Sequence, residues 1–441
     1  MAGKLDQPRV TALRRTWPQR LVLAATAVLS GVCLVAAGAL WWANSTLQQV
    51  RRVVVDKTPP PLAVGLAVGG GGGPGIAAGA TAASTTTTTA APGVPPSKNF
   101  LVVGSDSRDC IDPSSPYAGG FVNGPKEGQR SDTIMVVRVE PATFDAAILS
   151  FPRDLWVRID GAGYSSKINS AYDVADPNRL VRTIKLNFGI PIDHYVDIDF
   201  CAFKDLVDAI GGVRVPFAFP ARDIHTGLEV AAGCVAFDGE AALAYTRSRY
   251  YQYYDGRRWV DDGVSDYGRI ARQQDFIRRA LQKAIDKGAR QPTTAAALLQ
   301  IALSRVKVDQ DLTLDDLVRL AGILRTLDPA TIKSYRIEGR GEIRGDSSAV
   351  VPLASARNRA ILAVFTGQAR LASAAEVADV TPEQLQATTT TRPGTTTTTD
   401  PAATTTATTP AAATTTTSSV PAVYVEEKPE GAVPPADPTC R

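Results

Sequence analysis

Five short segments, each with at least one arginine, carry the side chains that could do chemistry in this chain. They are Gly104–Arg108, Arg130–Asp132, Pro152–Asp154, Tyr245–Tyr250 and Gly268–Gln274. An arginine remains charged and presents a planar fork of donors, so several converging arginines bind phosphate or diphosphate well. Asp106 and Asp132 could add a divalent cation, because Mg²⁺ is typically held by one or two carboxylates together with phosphate oxygens of the substrate. The segments therefore predict chemistry on a phosphate ester.

Two groups of arginines have spacings that would place them on common faces. Arg247 and Arg249 are two residues apart and would point to one side of an extended segment. Arg269, Arg272 and Gln273 would share one side of a helix. The alternative for both groups is a solvated or salt-bridged exterior surface.

The sequence has few of the residue patterns on which other familiar forms of catalysis depend. It contains two histidines, His194 and His225, and neither a Gly-x-Ser-x-Gly motif nor a Walker loop. His194 lies beside Tyr195 in a predicted strand and is interpreted as structural. The net charge of +3 argues against a general nucleic-acid-binding protein.

An apolar run at residues 21–43 predicts a single-pass transmembrane helix. The run has no charged residue, and about 20 apolar residues suffice to cross a bilayer. Basic residues in 1–20 favour a cytoplasmic N-terminus, and Trp17, Trp41 and Trp42 lie where interfacial aromatic residues are expected. The alternative is a cleaved signal peptide, whose apolar region is usually about 7–15 residues long. A membrane anchor would place the arginine segments outside the cytoplasm.

Composition divides the rest of the 441-residue chain into one domain and two stretches that cannot build a core. Segments rich in Pro, Gly, Thr and Ala bury too little apolar surface to offset chain entropy, so we expect them to be disordered. The predicted order is cytoplasmic residues 1–20, a transmembrane helix at 21–43, a flexible spacer at 44–97, an extracytoplasmic catalytic domain at 98–370 and a disordered tail at 371–441.

Strands and helices follow one another within the domain without a strict βαβ rhythm. Short apolar runs predict strands near residues 99–104, 133–140, 146–151, 194–200, 213–216 and 334–339. Periodic apolar residues and helix-end signals predict helices near residues 177–188, 202–210, 238–245, 267–287, 293–305, 314–327 and 355–366. This mixture favours an α/β fold of the α-β-α type, with a central mixed β-sheet flanked by helices.

Four cysteines would lie beyond the membrane in an oxidising compartment, where disulfide bonds persist. We expect a disulfide between Cys201 and Cys234, with Cys110 either free or paired with Cys440. Other pairings stay open, because sequence does not determine connectivity.

The order of the motifs and their amino-acid sequences resemble those of the LytR-CpsA-Psr family of cell-wall glycopolymer ligases, in its actinobacterial form. Besides the arginine segments, the segments that match the family are Ser166–Tyr172, Phe203–Val213 and Asp238–Arg249. The resemblance is close from about residue 98 to residue 285 and weaker from 291 to 370. It implies a sheet flanked by helices with an apolar groove for a lipid tail.

The resemblance also implies an activity and a set of site residues. Members transfer a glycosyl-phosphate polymer from a polyprenyl-diphosphate carrier to a peptidoglycan sugar hydroxyl. Asp106 and Asp132 resemble the ligands of Mg²⁺ or Mn²⁺, and either is a candidate base if the metal leaves it available. The diphosphate clamp and its supporting residues would be Arg130, Arg153, Arg247, Arg249, Arg269, Gln273, Asp266, Arg108 and Lys167. Those expected to act in catalysis are Arg249, Arg247, Asp132 and Arg153.

Two other functions fit the same residues. One is a hydrolase that cleaves polyprenyl diphosphate with water in place of the sugar hydroxyl. The other is a non-catalytic protein that binds or senses a lipid-linked glycan.

The chain departs from the shorter family pattern between Arg249 and Gly268. The additional residues, beginning at Tyr250, are rich in aromatic and charged side chains. They are similar to the actinobacterial branch, in which the polymer is often arabinogalactan. Such a segment could stack on sugars or simply cover the site, and it leaves the position of Arg269 relative to Arg249 open.

Overall fold

The computed structural model describes residues 52–55, 57, 96–106, 110, 112–118, 131–290, 292–372, 421–435, 437 and 439–440. The predicted membrane span at 21–43, most of the spacer, and Arg108 and Arg130 lie outside these residues. Within the described part of the chain, no helix has both the length and the apolar character needed to cross a membrane.

Helices and strands lie close to where the sequence predicts them. The described α-helices are α1 (Pro177–Phe188), α2 (Phe200–Ala209), α3 (Gly239–Arg247), α4 (Ser265–Arg290), α5 (Pro292–Arg305), α6 (Leu314–Thr326) and α7 (Ala356–Phe365). The described strands are β1 (Arg52–Val53), β2 (Lys98–Ser105), β3 (Ser131–Glu140), β4 (Asp145–Phe151), β5 (Trp156–Arg158), β6 (Ser165–Lys167), β7 (His194–Asp199), β8 (Val213–Phe217), β9 (Ala221–Asp223), β10 (Leu228–Val230), β11 (Gly233–Phe237), β12 (Gln252–Tyr254), β13 (Trp259–Asp261), β14 (Lys307–Asp309), β15 (Lys333–Arg336), β16 (Gly339–Arg344), β17 (Ser347–Pro352), β18 (Arg370–Leu371) and β19 (Ala422–Val423).

A mixed sheet with the strand order β1-β14-β7-β2-β3-β4-β15 forms the centre of the fold. β2, β3 and β4 are antiparallel neighbours, whereas β7 runs parallel to β2 and β15 runs parallel to β4. Leu149 of β4 packs in one apolar cluster with Leu180 of α1 and Phe365 of α7. The neighbouring Ile148 packs in a second cluster with Ile277 of α4. Because successive strand residues face opposite sides, helices cover both faces, which confirms the predicted α-β-α class.

A second apolar core lies beside the sheet and is built from strands β8 to β12 and helices α2 and α3. Its buried residues include Val215, Phe237 and Tyr245. Helix α4 reaches both cores, since Phe276 packs in this one and Ile277 packs against the central sheet. The first turns of α4 therefore have a fixed position between the two cores.

The last part of the chain, residues 421–440, is called here the C-terminal strap. β19 of the strap pairs in parallel with β18. Val425 of the strap is buried in the apolar cluster that contains Leu149 and Phe365. The Glu427 carboxylate accepts a hydrogen bond from Ser334 N at 2.7 Å and forms an ion pair with Arg278 at 3.2 Å. The prediction of a disordered tail over all of 371–441 is thus wrong for the strap, because its apolar and acidic residues find partners on the domain.

The disulfide bonds join Cys110 to Cys201 and Cys234 to Cys440. The predicted Cys201–Cys234 bond is therefore wrong, and so is the expectation that Cys110 is free or paired with Cys440. Cys201 lies at the start of α2, whereas Cys234 lies on β11 and meets the strap. The pairing of Cys234 depends on the return of the strap across 206 residues of sequence, a long-range contact that local patterns do not encode.

Candidate active site

A β-bulge positions Asp132. Gly104 pairs with Thr133 and Ser105 pairs with Ser131, so Asp132 is an extra residue between two consecutive pairs of the β2–β3 ladder. A bulge of this kind redirects the side chain it carries. Asp106 follows directly after β2 at the same end of the sheet. This confirms that the two aspartates lie at the ends of neighbouring strands.

The Asp132 carboxylate lies in strongly positive surroundings. Its Oδ1 accepts a hydrogen bond from Arg153 Nη1 at 2.7 Å. Burial alone would raise the pKa of Asp132, but the nearby charges of Arg269, Arg153 and Arg247 outweigh it and lower that pKa to about 2. Asp132 is therefore ionised at neutral pH and is a weak proton acceptor.

Asp154 is a second shared carboxylate, although we did not predict it as a site residue. It forms ion pairs with Lys167 Nζ at 3.1 Å, Arg153 Nε at 3.6 Å and Arg249 Nη2 at 3.8 Å. The signal available in the sequence was its position within the Pro152–Asp154 segment. Asp154 holds side chains from three separate segments in one place.

Asp266 joins the two arginines whose relative position the sequence left open. Its Oδ1 lies 2.8 Å from Arg269 Nη2 and 3.3 Å from Arg249 Nε. Burial lowers the pKa of Arg249, and the charges of Arg153 and Arg269 lower it further, against the attraction of Asp266. The guanidinium groups are therefore crowded, and a bound anion would relieve their mutual repulsion.

Arg247 and Gln273 extend the site toward α3. The Arg247 guanidinium lies 4.7 Å from the centre of the Phe200 ring. Gln273 Nε2 donates hydrogen bonds to Thr133 Oγ1 and to Thr246 O, both at 3.0 Å. The amide of Gln273 thus joins β3 to α3, and its binding of diphosphate stays a prediction.

Arg272 differs from Arg269, although we predicted that both lie on one helical face. Its side chain has 0% exposure, and Nη1 donates to Asp262 Oδ2 at 2.6 Å. Nη2 donates to Ser248 O at 2.9 Å, and the guanidinium lies 4.4 Å from the centre of the Tyr251 ring. Arg272 fastens the additional segment to α4.

Asp223 fixes the backbone at Arg249 and was also missed from sequence. Its Oδ2 accepts hydrogen bonds from Ser248 Oγ at 2.7 Å, Arg249 N at 3.0 Å and Tyr250 N at 2.9 Å. Burial would raise the pKa of Asp223, but these bonds and one from the His225 backbone lower it. Asp223 lies 26 residues before Arg249, so only the fold brings them together.

The additional segment folds as a hairpin and does not displace Arg269. β12 pairs with β13 and also with β9, which places the hairpin at the edge of a four-stranded sheet. Tyr251 is buried beneath Arg272, whereas Tyr250 is exposed. Arg249 and Arg269 meet at Asp266 even though the hairpin separates them in sequence.

Among the described residues, no group of three or more His, Cys, Asp or Glu side chains could hold a metal by itself. Asp106 and Asp132 do fit the mode in which two carboxylates bind Mg²⁺ together with substrate phosphate oxygens. Their adjacent strand positions and the ionised state of Asp132 are compatible with that mode.

An α-β-α fold with clustered arginines and two aspartates at the ends of adjacent strands defines a protein suited to binding an anionic phosphate compound. The model of the LytR_cpsA_psr family matches residues 80–360, which is more than half of the chain. The chain therefore belongs to the LytR-CpsA-Psr family.

Named relatives have functions in the cell wall. The chain is 36% identical over 190 residues to probable cell wall biosynthesis protein LcpB of Corynebacterium glutamicum, covering 43% of this chain and 42% of LcpB. It is 31% identical over 219 residues to the polyisoprenyl-teichoic acid–peptidoglycan teichoic acid transferase TagU of Enterococcus faecalis, covering 50% of this chain and 67% of TagU. The match thus spans less than half the length of LcpB.

Solved structures of similar proteins cover much of the domain. A LytR-Csp2A-Psr enzyme from Actinomyces oris aligns with 61% of this chain and 89% of its own, with 25% identity and a TM-score of 0.47. TagV of B. subtilis aligns with 62% of this chain and 98% of its own, with 26% identity and a TM-score of 0.46.

Proposed function

We propose that this protein transfers a glycosyl-phosphate polymer from a polyprenyl-diphosphate carrier to a sugar hydroxyl of peptidoglycan. Membership of the family and the relatives named as a cell wall biosynthesis protein and a transferase support this proposal. The observation that carries it is a cluster in which cations outnumber the carboxylates they share. The cations are Arg153, Lys167, Arg247, Arg249 and Arg269, and the carboxylates are Asp132, Asp154 and Asp266.

The excess positive charge suits a diphosphate. The Nε atoms of Arg153, Arg249 and Arg269 are buried and make no hydrogen bond within the described residues. Buried donors of this kind are costly unless an acceptor reaches them. Phosphate oxygens would meet the forked donors of Arg249 and Arg269 and compete for the groups that now lie on Asp266.

The transfer is a substitution at the phosphorus atom that carries the glycan. The acceptor hydroxyl oxygen forms a bond to this phosphorus, and the bond from phosphorus to the bridging oxygen breaks. Polyprenyl phosphate leaves with the bonding electron pair, and the hydroxyl proton passes to a base. The arginines stabilise the negative charge on the oxygens of both phosphates as the bond breaks.

Asp106 and Asp132 are the residues that would hold Mg²⁺ or Mn²⁺ beside the diphosphate. Such an ion supplies Lewis-acid stabilisation of phosphate oxygens when it is bound. Because the pKa of Asp132 is about 2, this carboxylate is a poor base for the acceptor proton. Asp106 could take that role only where the metal leaves its carboxylate available.

The proposed location is the outer side of the cell membrane, with residues 21–43 as the anchor. Two disulfide bonds support it, because such bonds persist in oxidising compartments. The proposed partners are the membrane, the lipid-linked glycan and peptidoglycan, with no nucleic acid.

One incubation separates transfer from hydrolysis and from simple binding. The full-length chain in detergent would receive a synthetic polyprenyl-diphosphate oligosaccharide, Mg²⁺ and a peptidoglycan fragment, with products identified by mass spectrometry. The proposal predicts a phosphodiester-linked product. Free glycosyl phosphate would identify a hydrolase, and binding without turnover would identify a non-catalytic protein; either result would overturn the proposal.

A further inference from the structure

The four-stranded sheet β10-β9-β12-β13 has one face in the second core and one face outside it. Ala221, Leu228 and Val230 are buried on the inner side, where Tyr253 packs against them. In an antiparallel ladder, directly paired residues lie on the same side and successive residues alternate. The register therefore places one set of side chains on the outer side, and we call this set the hairpin face: Arg222, Glu229, Gln252, Tyr254, Trp259 and Asp261.

The side chains of the hairpin face are fixed before any ligand arrives. The Arg222 guanidinium lies 4.1 Å from the centre of the Trp259 ring, and Arg222 Nε donates to Gln252 Oε1 at 3.0 Å. The rings of Tyr254 and Trp259 are direct cross-strand partners with centres 5.6 Å apart. Such mutual packing reduces the entropy that these side chains would lose on binding.

The side chains of this face are chemically suited to a sugar ring. Two half-buried rings offer flat apolar area, while Gln252, Glu229 and Asp261 offer hydrogen-bonding groups beside them. A sugar ring needs both, because its C–H groups are apolar and its hydroxyls donate and accept. The two carboxylates disfavour a phosphate ligand, and the charges of both signs disfavour an apolar segment.

The hairpin face is continuous with the arginine cluster. Gln252 lies three residues after Arg249, a distance that an extended chain spans in at most roughly 10 Å. Asp223, which holds the Arg249 backbone, is the immediate neighbour of Arg222 on β9. A glycan attached to a diphosphate at Arg249 has its first sugars within reach of this face.

We propose that the hairpin face is a saccharide subsite that binds sugars of the lipid-linked donor beyond the one attached to the diphosphate. This inference rests on the proposed function, since it takes the diphosphate to lie at Arg249. It assigns a role in donor choice to the segment by which this chain departs from the shorter family pattern.

The test compares donors of two lengths. Trp259→Ala is assayed for transfer with a polyprenyl-diphosphate monosaccharide and with the corresponding oligosaccharide. We expect KM for the oligosaccharide to rise about tenfold, the scale of one lost ring contact, with kcat and the monosaccharide KM unchanged. Phe219→Ala is the matched control, because Phe219 is an exposed ring that packs with Tyr253 of the other face. Equal effects on both donors, or no effect, would overturn the subsite.

Direct binding keeps this inference separate from the transferase activity. Calorimetry measures the affinity of wild type and Trp259→Ala for the lipid-free oligosaccharide of the same donor and, in parallel, for a peptidoglycan disaccharide. We expect wild type to bind the first more tightly and the substitution to weaken that binding about tenfold. Binding of the peptidoglycan fragment alone, or of neither sugar, would overturn the subsite even if transfer is observed. Sugar binding without any transfer would instead contradict the proposed function.

Discussion

Arg269 and Arg272 are three residues apart on α4, yet they belong to two different kinds of region. Arg269 is part of the arginine cluster, where several guanidinium groups share the carboxylates of Asp132, Asp154 and Asp266. Arg272 belongs to the hairpin anchor, where one guanidinium is matched by Asp262, a backbone carbonyl and an aromatic ring.

The difference separates charges that hold the fold from charges held ready for a ligand. In the anchor, each charge has its counterpart and burial is complete. In the cluster, by contrast, the cations outnumber the carboxylates that they share. Removal of an anchor residue should therefore cost stability, whereas removal of a cluster residue should cost activity.

The largest expected effect on stability follows from Arg272→Ala. This change leaves the buried Asp262 carboxylate without its cation, which typically costs about 3–5 kcal/mol. Urea unfolding would measure the loss, and Arg258→Ala, at an exposed position in the hairpin turn, is a control that should change little. Transfer by the fraction that remains folded should persist. A stable Arg272→Ala protein without activity would remove the distinction between the two regions.

Arg249→Ala should give the opposite result. One preorganised donor to the diphosphate is lost, and such losses reduce kcat by about 10²–10³. Thermal unfolding should change little, because Arg249 shares Asp266 with Arg269 and leaves no carboxylate unpaired. Arg249→Lys should recover part of the rate, since lysine restores charge without the planar fork. A folded Arg249→Ala variant with full transfer activity would contradict the assignment.

The C-terminal strap resembles the anchor, because its acidic residues are matched by arginines of the domain. Replacement of Cys234 and Cys440 by serine should lower stability by about 2–4 kcal/mol, the usual scale for a bond that closes a long loop. Equilibrium unfolding with and without reductant would measure it. The turnover number of folded protein should be unchanged; a large fall in kcat at unchanged stability would make the strap part of the site.

Asp223 should give a smaller effect that depends on pH. The pKa of this buried carboxyl is lower in the folded protein than in the unfolded chain. Its contribution to folding stability is therefore complete above its unfolded pKa of about 3.9 and is lost as pH falls through the folded pKa. Asp223→Asn should thus be less stable than wild type by about 1–3 kcal/mol at pH 7. The difference in free energy of unfolding between wild type and Asp223→Asn, measured in urea, should become smaller below pH 4. A gap that stays constant from pH 7 to pH 3 would exclude the carboxylate charge as its cause.

Local patterns predicted the elements well because each has its own periodic signal. β3 and β4 alternate between two cores, and α4 carries apolar residues at helical spacing. Arg153, Arg247, Arg249 and Arg269 of the cluster were named from the family resemblance of their combined motifs, and their role in binding diphosphate stays a prediction. The bulge at Asp132, the bonds of Asp223 and the Cys234–Cys440 disulfide were missed because each depends on chain segments that meet only in the folded molecule.

The fate of the bridging oxygen of the donor tests the central claim most directly. A polyprenyl-diphosphate oligosaccharide with ¹⁸O at that position would be incubated with the full-length chain, Mg²⁺ and peptidoglycan fragment, and the products analysed by mass spectrometry. Substitution at the glycan-bearing phosphorus predicts that the label leaves in polyprenyl phosphate, with a ligated product formed by wild type and not by Arg249→Ala. Label in released glycosyl phosphate, or equal ligation by both proteins, would contradict the account.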